Sequence, residues 1–301
     1  MPNTTTELTL REAVETLETL YPLKYAESWD EPGLIVGDPS WPVRKIYCAV
    51  DPTRQIVREA IEWGADLLVT HHPLFFRAVH NVSGMGFRGG IVNDLIANHC
   101  ALWVGHTNAD SAWRGTSHAL ADALGLVDDR PLVPIDDPDA EHPVGMGRVG
   151  SLKEPMSLEA FAKLVAHTLP PTRFGVMVSG DPAMRVRRVA VMGGSGDSFF
   201  DEVRAAGVDV YVTSDLRHHP VVDARQQAEY EAVLAGGREQ DGVPAMINTP
   251  HYASEKMLFR FMLDDVPAAI EARTGAKVEM VLSPTDTDPW TLHVPSPSRR
   301  H

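Results

Sequence analysis

The sequence predicts an α/β fold of two related lobes, each built from strands that are connected through helices. Three observations support this prediction. Apolar, strand-like runs alternate with amphipathic helical segments along most of the chain. A strand-helix-strand segment of the first half recurs in the second half. Polar side chains that can bind metals follow predicted strands, which is where ligands of α/β sheets collect.

Composition limits the classes of protein to consider. The 301 residues are enough for two ordinary domains, and 44% hydrophobic with 23% charged residues is typical of a folded globular chain. A net charge of -14 repels phosphate backbones, so generic nucleic-acid binding is disfavoured. Cys48 and Cys100 lie in apolar runs, which indicates buried thiols and neither a disulfide scaffold nor a cysteine-rich zinc site.

The N-terminal segment is predicted to be an amphipathic helix and not a signal peptide. Thr9 and Glu12 form the pattern of a capping box, and Val14 and Leu17 follow at helical spacing. The chain contains no apolar stretch of about 18 residues, so no membrane span is expected. We therefore expect a cytoplasmic protein.

The first lobe is predicted to comprise residues 1–127. Its elements, in order, are a helix that begins at Thr9, an ordered loop with a short strand in 21–42, a strand at 45–50, a helix at 53–63, a strand at 67–69, a helix at 91–98, a strand at 101–104 and a helix at 117–124. Gly64 and Gly125 are expected to end the helices that precede them.

Two adjacent histidines follow the most apolar strand of this lobe. The run ends at His71 and His72, and Pro73 cannot continue a ladder as a donor. Side chains at such a strand end could bind two metals, or one metal and a substrate. From this segment alone, an equally supported alternative is that one histidine caps the strand and the other packs.

Residues 128–143 are rich in Asp and Pro and are predicted to be a polar connection between the lobes. The second lobe is predicted over 144–285, and 286–301 is expected to be a tail. The predicted strands of the second lobe are 144–152, 174–178, 186–192, 207–213, 245–248 and 277–282, and its helices include 157–168, one around Glu202 and Ala205, 250–262 and 267–274.

The repeated unit makes the paired histidines informative. Residues 43–51 and 64–70 align without a gap onto 186–194 and 207–213, with identities that include Gly64 with Gly207, Asp66 with Asp209 and Thr70 with Thr213. In place of His71 and His72, the second copy has Ser214 and Asp215. The repeated fold therefore does not require two histidines at this position, which weakens the packing explanation.

Five residues are candidate metal ligands. His71 and His72 supply imidazole nitrogens, Asp110 and Glu255 supply carboxylates, and His251 supplies a third imidazole one helical turn before Glu255. This mixture of nitrogen and oxygen suits zinc, manganese or iron better than calcium. Two such metals could share a carboxylate and an acidified water, which would favour hydrolysis. For His251 and Glu255, a surface ion pair is the alternative.

Further candidates are less specific. His106, His218 and His219 could transfer protons or orient metal ligands, and a hydrogen bond at a strand edge or a surface cap is the alternative. Residues 193–196, Gly-Gly-Ser-Gly, could bind an anion at a helix N-terminus, although a tight turn is favoured for this segment.

Five motifs, in order along nearly the whole chain, resemble the GTP cyclohydrolase 1 type 2 family, also called the NIF-three-like dinuclear metal-centre proteins. They are residues 70–76 (THHPLFF), 106–110 (HTNAD), 193–196 (GGSG), 213–219 (TSDLRHH) and 251–255 (HYASE). The resemblance implies two divalent metals bound by His71, His72, Asp110, His251 and Glu255, with Glu255 bridging. It also implies a metal site between the lobes and a homohexameric ring.

The resemblance leaves three functions to distinguish. The first is a metal-dependent hydrolase like GTP cyclohydrolase 1 type 2, acting on a small molecule that could be a nucleotide. The second is a metal-dependent hydrolase of other nucleotides or phosphoesters, and the third is a ring-forming scaffold or regulatory protein without activity. The family commonly has Asp-Asn where this chain has Asp30-Glu31, and Gly in place of Pro250. These departures spare the ligands but affect loops that would shape substrate preference.

Overall fold

A computed structural model describes residues 7–297 and contains two sheets with helices packed against them. The strands are β1 (Gly33–Val36), β2 (Lys45–Ala49), β3 (Leu67–Thr70), β4 (Ala101–Val104), β5 (Leu126–Pro134), β6 (Gly145–Ser157), β7 (Met177–Ser179), β8 (Arg185–Ser195), β9 (Val210–Ser214), β10 (Ala245–Thr249) and β11 (Glu279–Leu282). The helices are α1 (Leu10–Leu20), α2 (Arg54–Trp63), α3 (Phe87–Ala97), α4 (Thr107–Ser111), α5 (Thr116–Ala123), α6 (Leu158–Thr168), α7 (Phe200–Ala206), α8 (His218–Leu234), α9 (His251–Glu255) and α10 (Phe259–Thr274). The predicted α/β class is confirmed.

The first sheet has the strand order β1-β4-β3-β2-β11. Strands β11, β2, β3 and β4 run parallel, and β1 pairs antiparallel with β4 at the edge. All residues of β3 and β4 are buried, as the continuous apolar sequence of a centrally placed parallel strand requires. Parallel pairing brings the carboxyl ends of β2, β3 and β4 to one edge of the sheet.

The second sheet has the order β5-β6-β8-β9-β10-β7 and repeats the arrangement of the first. Strands β8, β9 and β10 are parallel, and the edge strand β7 is antiparallel to β10. Thus β8, β9, β10 and β7 correspond to β2, β3, β4 and β1. The internal duplication therefore extends beyond the aligned strand-helix-strand unit to the antiparallel edge strand.

An aspartate that is identical in both copies explains part of this repetition. Asp66 accepts hydrogen bonds from the amides of Arg44 and Lys45 at 2.8 and 2.9 Å, and so joins the entrances of β2 and β3. Asp209 accepts from the amides of Arg187 and Arg188 at 2.7 and 2.8 Å in the same way. Each carboxylate accepts hydrogen bonds from two backbone amides that lie just before the first paired residues of two parallel strands, β2 and β3 in one sheet and β8 and β9 in the other. The two strand pairs therefore begin in the same way.

The predicted helix ends are largely confirmed. Thr9 and Glu12 form a reciprocal capping box at α1, and Gly64 ends α2 in the left-handed conformation with a φ of 79°. The predicted helices at 250–262 and 267–274 are wrong in detail, because α10 runs through Pro267 as one helix. Met262, Val266 and Ile270 are buried one turn apart and hold that helix together.

The compact units of the structure do not follow the predicted lobe boundaries. One unit contains the described residues up to Leu120 together with Arg130–Arg148 and Glu255–Thr287, and the other contains Ala121–Asp129, Val149–Ser254 and the residues from Asp288. The predicted second lobe includes residues 277–282, but the strand formed there, β11, pairs in parallel with β2 of the first sheet. The predicted connection 128–143 is also partly a strand, β5.

The predicted tail, residues 286–301, begins inside the first unit, because residues 286 and 287 belong to that unit. Residues 298–301 of the tail lie outside the part that the structure describes. In residues 7–297, none of the helices combines the length and the apolar character that crossing a membrane requires.

Candidate metal centre

The register of the first sheet explains why polar side chains collect at one edge. Ala49 of β2 is paired with Thr70 of β3, and Thr70 is paired with Val104 of β4, so these strands end at the same level. Asp51 follows β2, His71 and His72 follow β3, and His106 and Asp110 follow β4. Elements far apart in sequence therefore place these side chains beside one another.

His71, His72 and Glu255 form a compact group of potential metal ligands, and one ligand atom from each lies within 4.8 Å of the others. Glu255 Oε1 lies 3.3 Å from His71 Nε2, and Glu255 Oε2 lies 2.7 Å from His72 Nε2. Asp110 Oδ1 lies 3.6 Å from His71 Nε2 and extends the group. All four side chains belong to one compact unit, which Glu255 joins as the first residue of its C-terminal segment.

The chemistry of the group fits a metal ion. His71 is 0% exposed, Glu255 3% and Asp110 7%. Within the described residues, His71 Nε2 and Asp110 Oδ1 are buried and lack a well-oriented hydrogen bond. Buried polar atoms are almost always satisfied, so two such atoms that point into the same group indicate a missing partner. Imidazole nitrogen together with carboxylate oxygen is a donor set suited to zinc, manganese or iron.

Hydrogen bonds behind the ligands fix both imidazole rings. His71 Nδ1 lies 2.8 Å from the carbonyl oxygen of Gly105, to which an Nδ1-H donates, so the lone pair of Nε2 faces the group. His72 Nδ1 lies 2.7 Å from Asp51 Oδ1. The hydroxyl of Thr287 donates to the other oxygen of Asp51. Both rings therefore direct Nε2 towards Glu255.

The close carboxylates change the protonation of this group. Burial disfavours the charged form of both imidazoles, but the nearby carboxylates together outweigh burial: Glu255 and Asp110 raise the pKa of His71, and Glu255 and Asp51 raise that of His72 more strongly. Burial raises the pKa of Asp110; His71 opposes this rise, and Glu255 adds to it. Without a metal, the group therefore retains protons that a bound cation would displace.

His106 lies beside the paired histidines and belongs to a second hydrogen-bonded pair. Its Nδ1 lies 2.9 Å from Asp30 Oδ2, and its ring centre lies 5.5 Å from that of His71. Asp30 also accepts from the hydroxyl of Thr107 at 2.6 Å. Burial opposes ionisation of Asp30, but these hydrogen bonds prevail and lower the pKa of its carboxyl group. Asp30 is therefore ionised, and its carboxylate fixes the ring of His106.

His251 begins α9, the short helix that ends at Glu255. Its Nδ1 lies 2.7 Å from Asp215 Oδ2, and both side chains are partly exposed. Ser254 ties this helix to the second sheet, because its hydroxyl accepts from the amide of Gly194 at 3.0 Å and donates to the carbonyl of His251 at 2.8 Å. The serine thereby fixes the backbone immediately before Glu255.

The remaining candidates do not form a comparable group. His218 and His219 are exposed at the start of α8 and contact each other edge to face, with ring centres 5.2 Å apart. In the Gly-Gly-Ser-Gly segment, the amide of Gly194 is bonded to Ser254. A Cβ at Gly196 would lie only 2.1 Å from Tyr211 Oη, so this glycine is required for packing. The tight turn favoured for residues 193–196 is wrong in detail, because Gly193, Gly194 and Ser195 form the end of β8, where its pairing with β9 shifts register.

Asp51 and Asp30 orient imidazoles of the site and are not among the candidates that the sequence predicts. Asp51 directly follows the β2 segment, so the rule that ligands collect at the ends of parallel strands gave a usable signal for it. Asp30 lies in a loop before β1, and the sequence carried no signal that this loop reaches His106.

Together, the duplicated α/β fold and the buried histidine-carboxylate group define a protein with a possible metal centre at the end of a parallel sheet. Comparison with known proteins identifies the family: residues 8–289 match the model of the Duf34/NIF3 (NGG1p interacting factor 3) family, and the chain belongs to it.

Three known proteins are similar to nearly the whole chain. A Streptomyces coelicolor protein named GTP cyclohydrolase 1 type 2 homolog is 46% identical over 95% of both chains. A Mycobacterium leprae protein of the same name is 29% identical over 94% of this chain and 95% of its own. A Bacillus cereus protein described as related to NIF3 shares the fold, with a TM-score of 0.81, 23% identity and coverage of 95% of this chain and 99% of its own.

Proposed function

We propose that this protein binds two divalent metal ions and uses them to hydrolyse a small molecule. The observation that carries the proposal is the buried group of His71, His72, Asp110 and Glu255, in which His71 Nε2 and Asp110 Oδ1 lack a well-oriented hydrogen bond. The similarity to proteins named GTP cyclohydrolase 1 type 2 homolog makes GTP the first substrate to test.

The proposed ligands are His71, His72, Asp110, His251 and Glu255. Glu255 is the proposed bridging ligand, because its two oxygens face different histidines, at 3.3 Å from His71 and 2.7 Å from His72. His251 is included because it precedes Glu255 by one turn of α9. The mixed donor set favours zinc, manganese or iron.

Two of the chain's own residues, Asp51 and His106, would assist the chemistry that the metals supply. Divalent metals bound here would act as Lewis acids and acidify a coordinated water. The Asp51 carboxylate would hold His72 in the tautomer that presents Nε2 to a metal. His106 would move a proton at Nε2, because its Nδ1 is engaged by Asp30 at 2.9 Å. Roles of His218 and His219 in proton transfer, or in orienting ligands, rest on the sequence alone.

Two other functions use the same group. The protein could hydrolyse another nucleotide or a phosphoester with the same metals, which a broad substrate screen would reveal. It could also be a cytoplasmic scaffold or regulator in which the metals hold a ring together. A homohexamer is the assembly that the family resemblance implies, and either function would be compatible with it.

The decisive experiment joins metal analysis to a turnover screen. Purified protein loaded with zinc, manganese or iron is expected to hold about two metals per chain and to hydrolyse GTP, another nucleotide or 4-nitrophenyl phosphate. The variant His71→Asn should lose metal and turnover, whereas the exposed control His80→Asn should retain both. Less than one metal per metal-loaded chain would overturn the proposal.

Mass measurements separate the hydrolase from the scaffold. If His71→Asn loses turnover and keeps the mass of the assembly, the metals serve chemistry. If the wild-type protein turns over none of these compounds and loses its assembly on metal removal, the scaffold function is favoured.

A further inference from the structure

A cavity of about 270 Å³ opens beside the proposed metal centre. His72 lines this cavity and also belongs to the proposed group of metal ligands. Two arginines, Arg54 and Arg88, and two phenylalanines, Phe76 and Phe87, line other parts of it. A molecule in this cavity would therefore contact cationic and aromatic side chains within reach of His72.

The two arginines are unusual in this acidic chain, which has 41 Asp and Glu residues against 27 Lys and Arg. Among the described residues, neither guanidinium forms an ion pair with a carboxylate. Arg88 Nε donates to the carbonyl oxygen of Leu74 at 2.7 Å, which fixes the side chain and leaves its other donors available. Guanidinium groups of this kind favour an anion with planar or phosphate-like oxygens.

Asp51 also lines the cavity, and its charge would oppose an anion there. Its carboxylate is already engaged on both oxygens: Oδ1 lies 2.7 Å from His72 Nδ1, and Oδ2 accepts the hydroxyl of Thr287. The two arginines lining the same cavity outnumber it. The balance of charge in the cavity is therefore positive, although the protein as a whole is strongly negative.

The aromatic side chains supply a second kind of contact. Phe76 is 56% exposed and Phe87 is 55% exposed, which is high for large apolar side chains. The ring of Phe76 also meets that of His106 edge to face, with centres 5.8 Å apart. A flat apolar ligand would cover exposed ring surface while lying next to both His72 and His106.

We propose that this cavity is the substrate subsite, that it selects a single aromatic ring bearing an anionic group, and that Arg54 and Arg88 determine this specificity. The anionic group would bind the two guanidinium groups, and the ring would pack against Phe76 and Phe87. The volume sets the size limit, because 270 Å³ lies just below the range of about 300–1,000 Å³ that is typical of ligand pockets. This inference rests on the proposed hydrolase and names its substrate class; a nucleotide such as GTP is larger than this class and would extend beyond the cavity.

The test measures binding of small probes to zinc-loaded protein by calorimetry. Phenylphosphonate and benzoate carry a ring with a phosphate-like or a carboxylate group, methylphosphonate lacks the ring, and benzamide lacks the charge. Each of Arg54→Met and Arg88→Met is expected to weaken the preferred ring-bearing anion by about tenfold or more, since a hydrogen bond to a charged group is lost. The more tightly bound of phenylphosphonate and benzoate identifies the anionic group.

The chain provides a matched control in Arg58, an exposed arginine one turn further along α2 that does not line the cavity. Arg58→Met should change each dissociation constant by less than about twofold, because it removes the same charge without a contact. Attraction of the anion to zinc is common to all variants and cancels in the comparison. Unchanged zinc content and melting temperature would show that the variants remain folded.

The aromatic half of the proposal has its own test. Wild-type protein should prefer the ring-bearing anion to methylphosphonate by about tenfold, and Phe76→Ala or Phe87→Ala should remove most of this preference. Equal effects of Arg54→Met and Arg58→Met would overturn the subsite. So would a Phe87→Ala variant that changes the mass of the assembly and leaves binding intact, because the ring would then be a contact between chains.

These results separate the subsite from the proposed function. Binding that depends on the arginines, without turnover of any ring-bearing ester, would support the proposed subsite and refute the proposed hydrolase activity. Conversely, loss of turnover in His71→Asn, together with normal binding of the ring-bearing anion in Arg54→Met, would support the proposed hydrolase activity and refute the proposed subsite.

Discussion

Replacing Asp51 with alanine tests whether the structure places His72 as a metal ligand. Asp51 Oδ1 lies 2.7 Å from His72 Nδ1 and fixes the ring so that Nε2 faces Glu255, also at 2.7 Å. Without this carboxylate, the ring can rotate and exchange tautomers, and Nε2 becomes a weaker donor. The variant Asp51→Ala should still fold and should bind zinc less tightly.

The expected loss of zinc affinity follows from the position of Asp51 and His72. Removing a group that orients a metal ligand typically costs 10- to 100-fold in affinity, or about 1.4 to 2.7 kcal/mol. The side chain of Asp51 is 27% exposed and that of His72 is 16% exposed, so water can partly replace the lost partner. We therefore expect a loss near tenfold. Asp51→Asn keeps an oxygen acceptor without the charge and should lose less.

Competition between the protein and a chromophoric chelator measures this affinity directly. Asp94→Ala is the matched control, because Asp94 is an exposed acid on α3 and its side chain makes no described contact with the metal group. Zinc affinity in Asp51→Ala equal to that of Asp94→Ala would refute the assignment of Asp51 as the group that orients His72.

Three further results are expected. In the metal-free protein, the raised pKa values of His71 and His72 stabilise the fold below about pH 6.5, and this contribution is lost as the pH rises through the folded pKa values. Calorimetry should show that a variant with both His71→Asn and His72→Asn lacks this part of the pH dependence of stability. Ser254→Ala should lower the free energy of unfolding by about 1–3 kcal/mol in urea, because the buried amide of Gly194 loses its acceptor; an unchanged midpoint would contradict this. Gly196→Ala should cost at least about 1–3 kcal/mol through its clash with Tyr211, whereas Gly90→Ala, with nothing within 4 Å, should be neutral or stabilising; equal midpoints would disprove the clash.

Much of the site was predictable because its residues occupy positions that local sequence defines. The apolar run that forms β3 ends at His71 and His72, and the run that forms β4 leads to Asp110, so both sets of candidate ligands follow parallel strands. The duplication gave independent support, since the second copy forms the same strand without the histidines. The family resemblance then connected Glu255 to the same group, where the structure places it.

What the sequence alone determined is therefore the repeated α/β unit and the residues with metal-binding chemistry, because strand periodicity, helix caps and motif order are local properties. Only the tertiary structure assigned β11 to the first sheet beside β2, since pairing at a sheet edge joins segments that no local pattern relates. Only the structure paired Asp51 with His72 and Asp30 with His106. A carboxylate finds its imidazole through the directions of side chains on separate elements, and those directions exist only when the chain is folded.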